Sequence, residues 1–264
     1  MEKLGFIAAA IAFLVIGSRA SLNAQVVLTD GSYTYNQNFS SIPYGFDGQW
    51  TNNSTLQGWY YTPTFGEGSS TDVRYIWTQG GNPTPGLQLY TNAEDPPTIR
   101  GLGSLTSGSV VGGYNVSQVL YGFQTLNSGS MTVSEISLAF NQLQWFGGTA
   151  ASLDSVQFAY SLDATSLTTG TWTTVSALSL GGFVDGEGGI SLVTTPRSAS
   201  ITGLELANGQ SIWFRWTDND IDGGDAGAGI SNLSMTAVPE PQVFALLGLA
   251  ALVLVFRRRR NVCL

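Results

Sequence analysis

The chain has 264 residues and a formal charge of −8, with no histidine and a single cysteine, Cys263. These counts exclude Ser-His-Asp and Cys-His catalysis, His/Cys zinc sites and an intramolecular disulfide. Charged residues make up 11% of the chain and aromatics another 11%, amid 33 glycines. That balance fits exported β-architecture better than a helical cytosolic enzyme.

At the N-terminus Lys3 precedes an apolar run from Leu4 to Ile16, followed by small residues. Residues 1–24 therefore read as a secretory signal helix, with acceptable cleavage contexts after Ala20 and after Ala24. Residues 25–237 form the body. It carries four arginines against sixteen acids, a formal charge of −12. Such a surface repels nucleic acid, which needs a basic footprint. It suits divalent cations or neutral ligands.

The body shows short apolar or alternating runs punctuated by Gly, Asn, Asp, Pro and Ser. They are Val26–Leu28, Ser32–Phe39, Gly58–Tyr61, Val73–Trp77, Leu87–Tyr90, Gln118–Leu126, Met131–Phe140, Val156–Tyr160, Thr171–Val175, Ser198–Leu204, Ser211–Trp216 and Ile230–Thr236. Many short strands separated by turn signals predict an all-β, two-sheet sandwich. The apolar parity switches at Ser134–Glu135, which predicts a bulge there. Ser211–Trp216 is apolar on both faces, as a central strand should be. Residues 80–86 and 181–189 read as long loops.

Trp50, Trp59, Tyr60, Tyr61, Trp77 and Tyr90 cluster in the first half and can stack on sugar rings, with Trp59, Tyr61 and Trp77 as the chosen candidates. The alternative is that these large aromatics fill the core. For glycosidase chemistry two carboxylates must face one another across a cleft. Asp154, Asp163, Asp185, Glu187 and Glu205 are available, but none sits in a recognisable catalytic motif. Downstream, Asp218, Asp220, Asp222 and Gly223 give D-x-D-x-D-G spacing, with Asp225 close behind. Calcium takes six to eight hard oxygens, and alternating carboxylates on a tight loop supply several. An EF-hand would need Glu at loop position twelve, where Gly229 stands. The two readings are a structural Ca²⁺ site and a solvated acidic turn.

The C-terminal tail, residues 238–264, is the most specific feature. Pro239-Glu240-Pro241 leads into an apolar run over residues 243–256 and then Arg257, Arg258, Arg259 and Arg260. As a helix that run is roughly 21 Å long, short for a bilayer core of about 30 Å. The arginines orient it with their end cytoplasmic and the body outside. The two prolines predict a stiff, extended and exposed link, excluded from sheet and helix interiors.

Pro-Glu-Pro, apolar helix and arginine cluster together resemble the PEP-CTERM sorting signal of Gram-negative bacteria. The resemblance implies recognition by an exosortase, a membrane-embedded cysteine-protease-like enzyme. It further implies transient inner-membrane tethering through a single transmembrane helix, cleavage near the motif, and delivery to the surface or extracellular matrix. It also implies a link to exopolysaccharide and biofilm. The body is similar to a recurring passenger domain of such proteins, a two-sheet jelly roll. The similarity runs through Asn38–Pro43, Trp50–Tyr60, Gly101–Ser109 and the closing stretch from Asp218 to Thr236. That family tends to have His where Ala226 stands, and Asp where Ser40 and Asn232 stand. Asn232 is carried as a further calcium ligand, offering a neutral oxygen.

Three functions follow as expectations. The first is a non-enzymatic surface or matrix protein, sorted by exosortase and stabilised by calcium. The second is a carbohydrate-binding module for extracellular polysaccharide. The third is a polysaccharide-active hydrolase or lyase.

Overall fold

A computed structural model describes residues 26–31, 33–79, 84–186 and 188–240, with the backbone alone for 188–191. The expected signal helix, the membrane helix over 243–256, Pro241, Glu187 and Arg257–Arg260 lie outside the described residues. Among the described residues no helix is long and apolar enough to cross a membrane.

Among the described residues sixteen strands follow one another: β1 (Val26–Leu28), β2 (Thr34–Gln37), β3 (Gly48–Gln49), β4 (Trp59–Phe65), β5 (Arg74–Thr78), β6 (Gly86–Thr91), β7 (Arg100–Leu105), β8 (Ser107–Val111), β9 (Tyr114–Asn127), β10 (Val133–Gly147), β11 (Ser155–Ser161), β12 (Thr173–Thr174), β13 (Leu180–Gly181), β14 (Gly188–Leu206), β15 (Ser211–Asn219) and β16 (Gly227–Pro239). They form two eight-stranded sheets. The first runs β1-β9-β15-β11-β12, with β4 and β8 also on β9 and β13 on β11. The second runs β14-β10-β16-β7-β6-β5-β3, with β2 also on β16. The pairs β1–β9 and β5–β6 are parallel, so the sheets are mixed rather than purely antiparallel.

The predicted bulge is present. Register slips between Val133 and Glu135 against both β14 and β16, and Val133, Ile136, Leu138 and Phe140 all point into the core. β15 is paired along both edges, by β9 and β11, and side chains of both parities are buried along it. Prolines obey the ladder rule: Pro63 lies on β4, paired only to β9, and Pro196 on β14, paired only to β10. At such edges a missing N–H costs no ladder bond.

The sheets enclose an aromatic core. Trp59 stacks on Phe123 at 5.0 Å and lies parallel to Trp216 at 6.2 Å. Phe140 and Phe158 meet Trp216 edge-on. Where β7 passes β16, Gly103 pairs with Gly229, and a Cβ on Gly103 would collide with the Ala228 carbonyl. That close approach sets the position of Ser104, the next residue of β7.

Candidate functional site

The acidic loop lies where the chain leaves β15 of one sheet and enters β16 of the other. Asp218 is the penultimate residue of β15, opposite Val156 of β11 and Val119 of β9. Asp154 stands two residues before Val156, at the end of a short 3-10 turn, Ala151–Leu153. Asp225 lies two residues before Gly227, where β16 starts. Strand pairing thus brings Asp154 and Asp218 together although they are far apart in sequence.

All three are buried, Asp218 completely. Asp154 accepts the Ser155 and Ala226 amides at 2.6 and 2.9 Å. Asp225 accepts the Ile221 amide at 3.1 Å. Neither carboxylate oxygen of Asp218 has a hydrogen-bond partner. The hydroxyls of Ser104 and Thr106 lie close enough to favour its charged form. Neither meets hydrogen-bond geometry, and both are themselves buried and unpartnered. These four oxygens therefore have no hydrogen-bond partner within the protein.

Burial pushes the Asp218 carboxyl well above the usual range, and the neighbouring Asp154 and Asp225 charges add to it. Asp225 is pushed up to about 7, first by burial and then by Asp154 and Asp220. Asp154 is also raised, chiefly by burial. Carboxylates sharing a dry site cannot all ionise unless a positive charge joins them.

Among the described residues none is supplied. The four body arginines are engaged elsewhere. Arg74 pairs with Asp72 at 2.8 Å. Arg100 bonds the Ser40 and Ile42 carbonyls and covers the Tyr44 ring. Arg197 bonds Gln142 and the Gly181 carbonyl. Arg215 bonds the Leu167 carbonyl and stacks on Trp172 at 3.9 Å.

The remaining expected ligands fall differently. Asp220 abuts Gly108 of β8 and is near enough to Asp154 and Asp225 to raise both. Asp222 is exposed on the outside of the loop. Asn232 is exposed at φ 51°, beside Asn36, Gln37 and Asn38. It sits on the bulged part of β16, where register slips against Ala139–Asn141, and it is not brought to the acidic cluster. Among the described residues no three acidic side chains form a ready-made metal cage.

The expected sugar platform is also redistributed. Trp59 is fully buried and Tyr61 nearly so, so neither ring has a face to offer a ligand; β4 turns both inward against β9. Trp77 keeps partial exposure and donates its indole N–H to Thr91 at 3.0 Å. A different pair lies on the outer face of the first sheet. Tyr60 and Trp213 meet at 4.6 Å in a hollow of about 600 Å³, lined also by Gln124, Asp163, Thr165 and Gln210. The Trp213 indole N–H is buried without a partner. The sequence signal was present, because Tyr60 and Trp213 have the opposite strand parity to Trp59 and Trp216.

The carboxylates considered for hydrolysis are dispersed. Asp154 is inside the acidic cluster, Asp163 accepts from Ser161 and Thr171, and Asp185 accepts from Ser152. Glu205 is exposed on β14.

At the other functional end, Pro239 is the last residue of β16 and stands opposite Val133. This corrects the expectation that it lies outside the sheet. A strand's final residue can lack an N–H because the ladder needs no further donor there. Glu240 then donates its amide to the Thr132 carbonyl at 2.8 Å. The first two residues of the strip, Pro239 and Glu240, are thus fastened to the sandwich.

Residues 237–260 match the family described as the PEP-CTERM protein-sorting motif. The chain therefore carries the signal of a secreted precursor, anchored through its C-terminus, processed by exosortase and sorted to the cell surface. No curated protein matches the chain. Among solved structures, the K1 cleaved adhesin domain of Lys-gingipain from Porphyromonas gingivalis W83 is similar at 10% identity and a TM-score of 0.36, covering 78% of this chain and 99% of that one.

Proposed function

We propose that the chain is a non-enzymatic surface or matrix protein whose sandwich, released from its sorting tail, becomes part of an exopolysaccharide-containing layer. The sorting motif carries this reading. Support for the absence of catalysis comes from a chain without histidine and from a carboxylate grouping buried between sheets, where a polymer cannot reach it. The test is to delete residues 239–264 in the producing cell and follow the body by immunoblot of surface, matrix and medium fractions. The proposal expects loss from the surface and matrix fractions and a weaker polysaccharide matrix. An unchanged distribution and matrix would overturn it.

The hollow at Tyr60 and Trp213 favours a second reading, direct carbohydrate binding. The half-buried Tyr60 ring, backed by the buried Trp213, can take the C–H face of a sugar, while Gln124, Asp163 and Gln210 can bond its hydroxyls. Retention of the detergent-solubilised full chain on a panel of immobilised polysaccharides, lost in Tyr60→Ala but kept in Trp77→Ala, would bear it out. No retention on any glycan would remove it.

A further inference from the structure

We infer that Asp154, Asp218 and Asp225 bind one Ca²⁺ ion between the two sheets, with the hydroxyls of Ser104 and Thr106 as neutral oxygens beside it. Asp220 serves as an additional carboxylate from the loop. Three observations carry this. The first is the unpartnered burial of both Asp218 oxygens. An isolated ionised carboxylate in a dry interior is strongly unfavourable unless it is paired or coordinates a metal. The second is independent of the acidic residues. Ser104 and Thr106 belong to β7 and its exit, in the opposite sheet, and their hydroxyls are also buried without partners beside Asp218. A common ligand satisfies all of these orphaned oxygens at once. The third is the assignment of every body arginine to another partner. Among the described residues no side-chain cation is left to neutralise the cluster.

The donor set selects the ion. Carboxylate and hydroxyl oxygens suit hard cations, and a chain without histidine or a body cysteine offers nothing to softer metals. Two ligands come from the rigid ends of β15 and β11, and the others from a loop with Gly223 and Gly224 at its turn. Calcium tolerates such irregular geometry, whereas magnesium demands a small, near-ideal octahedron. Because the carboxylates do not form a ready-made cage, binding draws Asp225 and Asp220 inward. The consequence is mechanical. The ion joins β15, the β11 approach and the loop into β16 to the end of β7, clasping the two sheets at the crossover. In an exported domain without disulfides, that clasp replaces a covalent staple. The set differs from the sequence pattern in dropping Asp222 and Asn232 and in recruiting Asp154 from a distant element.

The test compares melting of the full chain, solubilised in mild detergent, in about 10 mM CaCl₂ and in EGTA. Extracellular calcium modules have dissociation constants of roughly 0.1–1 mM, so melting should rise by about 3–10 °C in calcium. Asp222→Asn should keep this shift. Asp218→Asn should lose it, yet melt in EGTA no lower than the parent, since a like charge has been removed. If Asp218→Asn fails to fold, equilibrium dialysis with ⁴⁵Ca on the parent and Asp225→Asn replaces it, expecting one ion per parent chain and a loss of at least tenfold in affinity in the variant. An equal melt of the parent in calcium and EGTA would overturn the inference. So would a calcium shift that survives Asp218→Asn, or a calcium-indifferent melt that rises as pH falls from 7 to 5, which would assign neutralisation to protons.

Discussion

Asn127 offers a sharp test of how the sandwich is closed. It is fully buried at the end of β9, where the chain leaves one sheet to start β10 in the other. Its side-chain amide donates to the Leu206 carbonyl at 2.8 Å and to the Met131 carbonyl at 2.9 Å, and its side-chain oxygen accepts the Gly129 amide at 3.0 Å. Asn127→Leu keeps the branched shape of the side chain and removes all three bonds. Met131 is only partly buried, so water can replace the lost donor there. The Leu206 carbonyl and Gly129 N–H remain buried and unsatisfied, at about 1–3 kcal/mol each. Allowing about 1 kcal/mol in return for the added apolar burial, the expected loss is about 3 kcal/mol, or roughly 6–12 °C in melting. Urea unfolding of the full chain in detergent, followed by tryptophan fluorescence, should show a lower midpoint at unchanged slope. Asn127→Asp is more specific still. Its carboxylate would face two carbonyl oxygens, so burial would raise its folded pKa above the unfolded value of about 3.9. The folded state then holds the proton more tightly, and stability falls as pH rises through the folded pKa. A loss under about 1 kcal/mol in Asn127→Leu, or a pH-independent Asn127→Asp, would refute the role of the Asn127 network in closing the sandwich.

Two further outcomes follow from the core and the sorting end. Trp59→Ala should cost about 3–5 kcal/mol in the same urea assay, because the ring is enclosed by Phe39, Phe123 and Trp216. Trp77→Ala should cost less than half of that; equal losses would mean that burial does not rank these rings. Hydrogen exchange should find the Ala237 amide, bonded to the Tyr33 carbonyl at 2.7 Å, slower than that of Glu240 at the strand end, and Glu240 slower than an unpaired loop amide. Exchange of Glu240 at the intrinsic rate would show that the sorting strip is free of the sheet.

Strand existence was readable wherever one face is apolar and the other is not. Met131–Phe140 gave its strand, its buried parity and its bulge, because register in a half-buried strand is set by its own side chains. β14 was read short for the opposite reason. It is a Ser/Thr-rich edge strand with partial or full exposure along much of its length, and its pairing to β10 as far as Gly188 is fixed by its partner. β7 was missed as a strand because Gly101 and Gly103 lack side chains to mark a period. Those same glycines let β7 lie against β16. The proline rule was too strict at Pro239, where the end of a strand imposes no donor.

The acidic centre shows where a linear pattern stops informing. Spacing within 218–225 identified a loop rich in carboxylates, and a loop can only say which oxygens are near one another along the chain. Which of them lose water depends on what the two sheets bring over them. Asp218 is dry because it is still in β15, paired on both sides. Asp222, four residues on, faces solvent and retains the freedom of an ordinary surface carboxylate. Asp154 enters through the β11–β15 register, and Ser104 through the glycine-permitted contact of β7 with β16. Neither contact leaves any mark in the local sequence of the loop. The ligand set is therefore a property of the sheet crossover. It follows that a substitution at Gly103, which touches no acidic residue, should weaken calcium binding by moving Ser104 and Thr106, whereas Asp222 can be replaced freely.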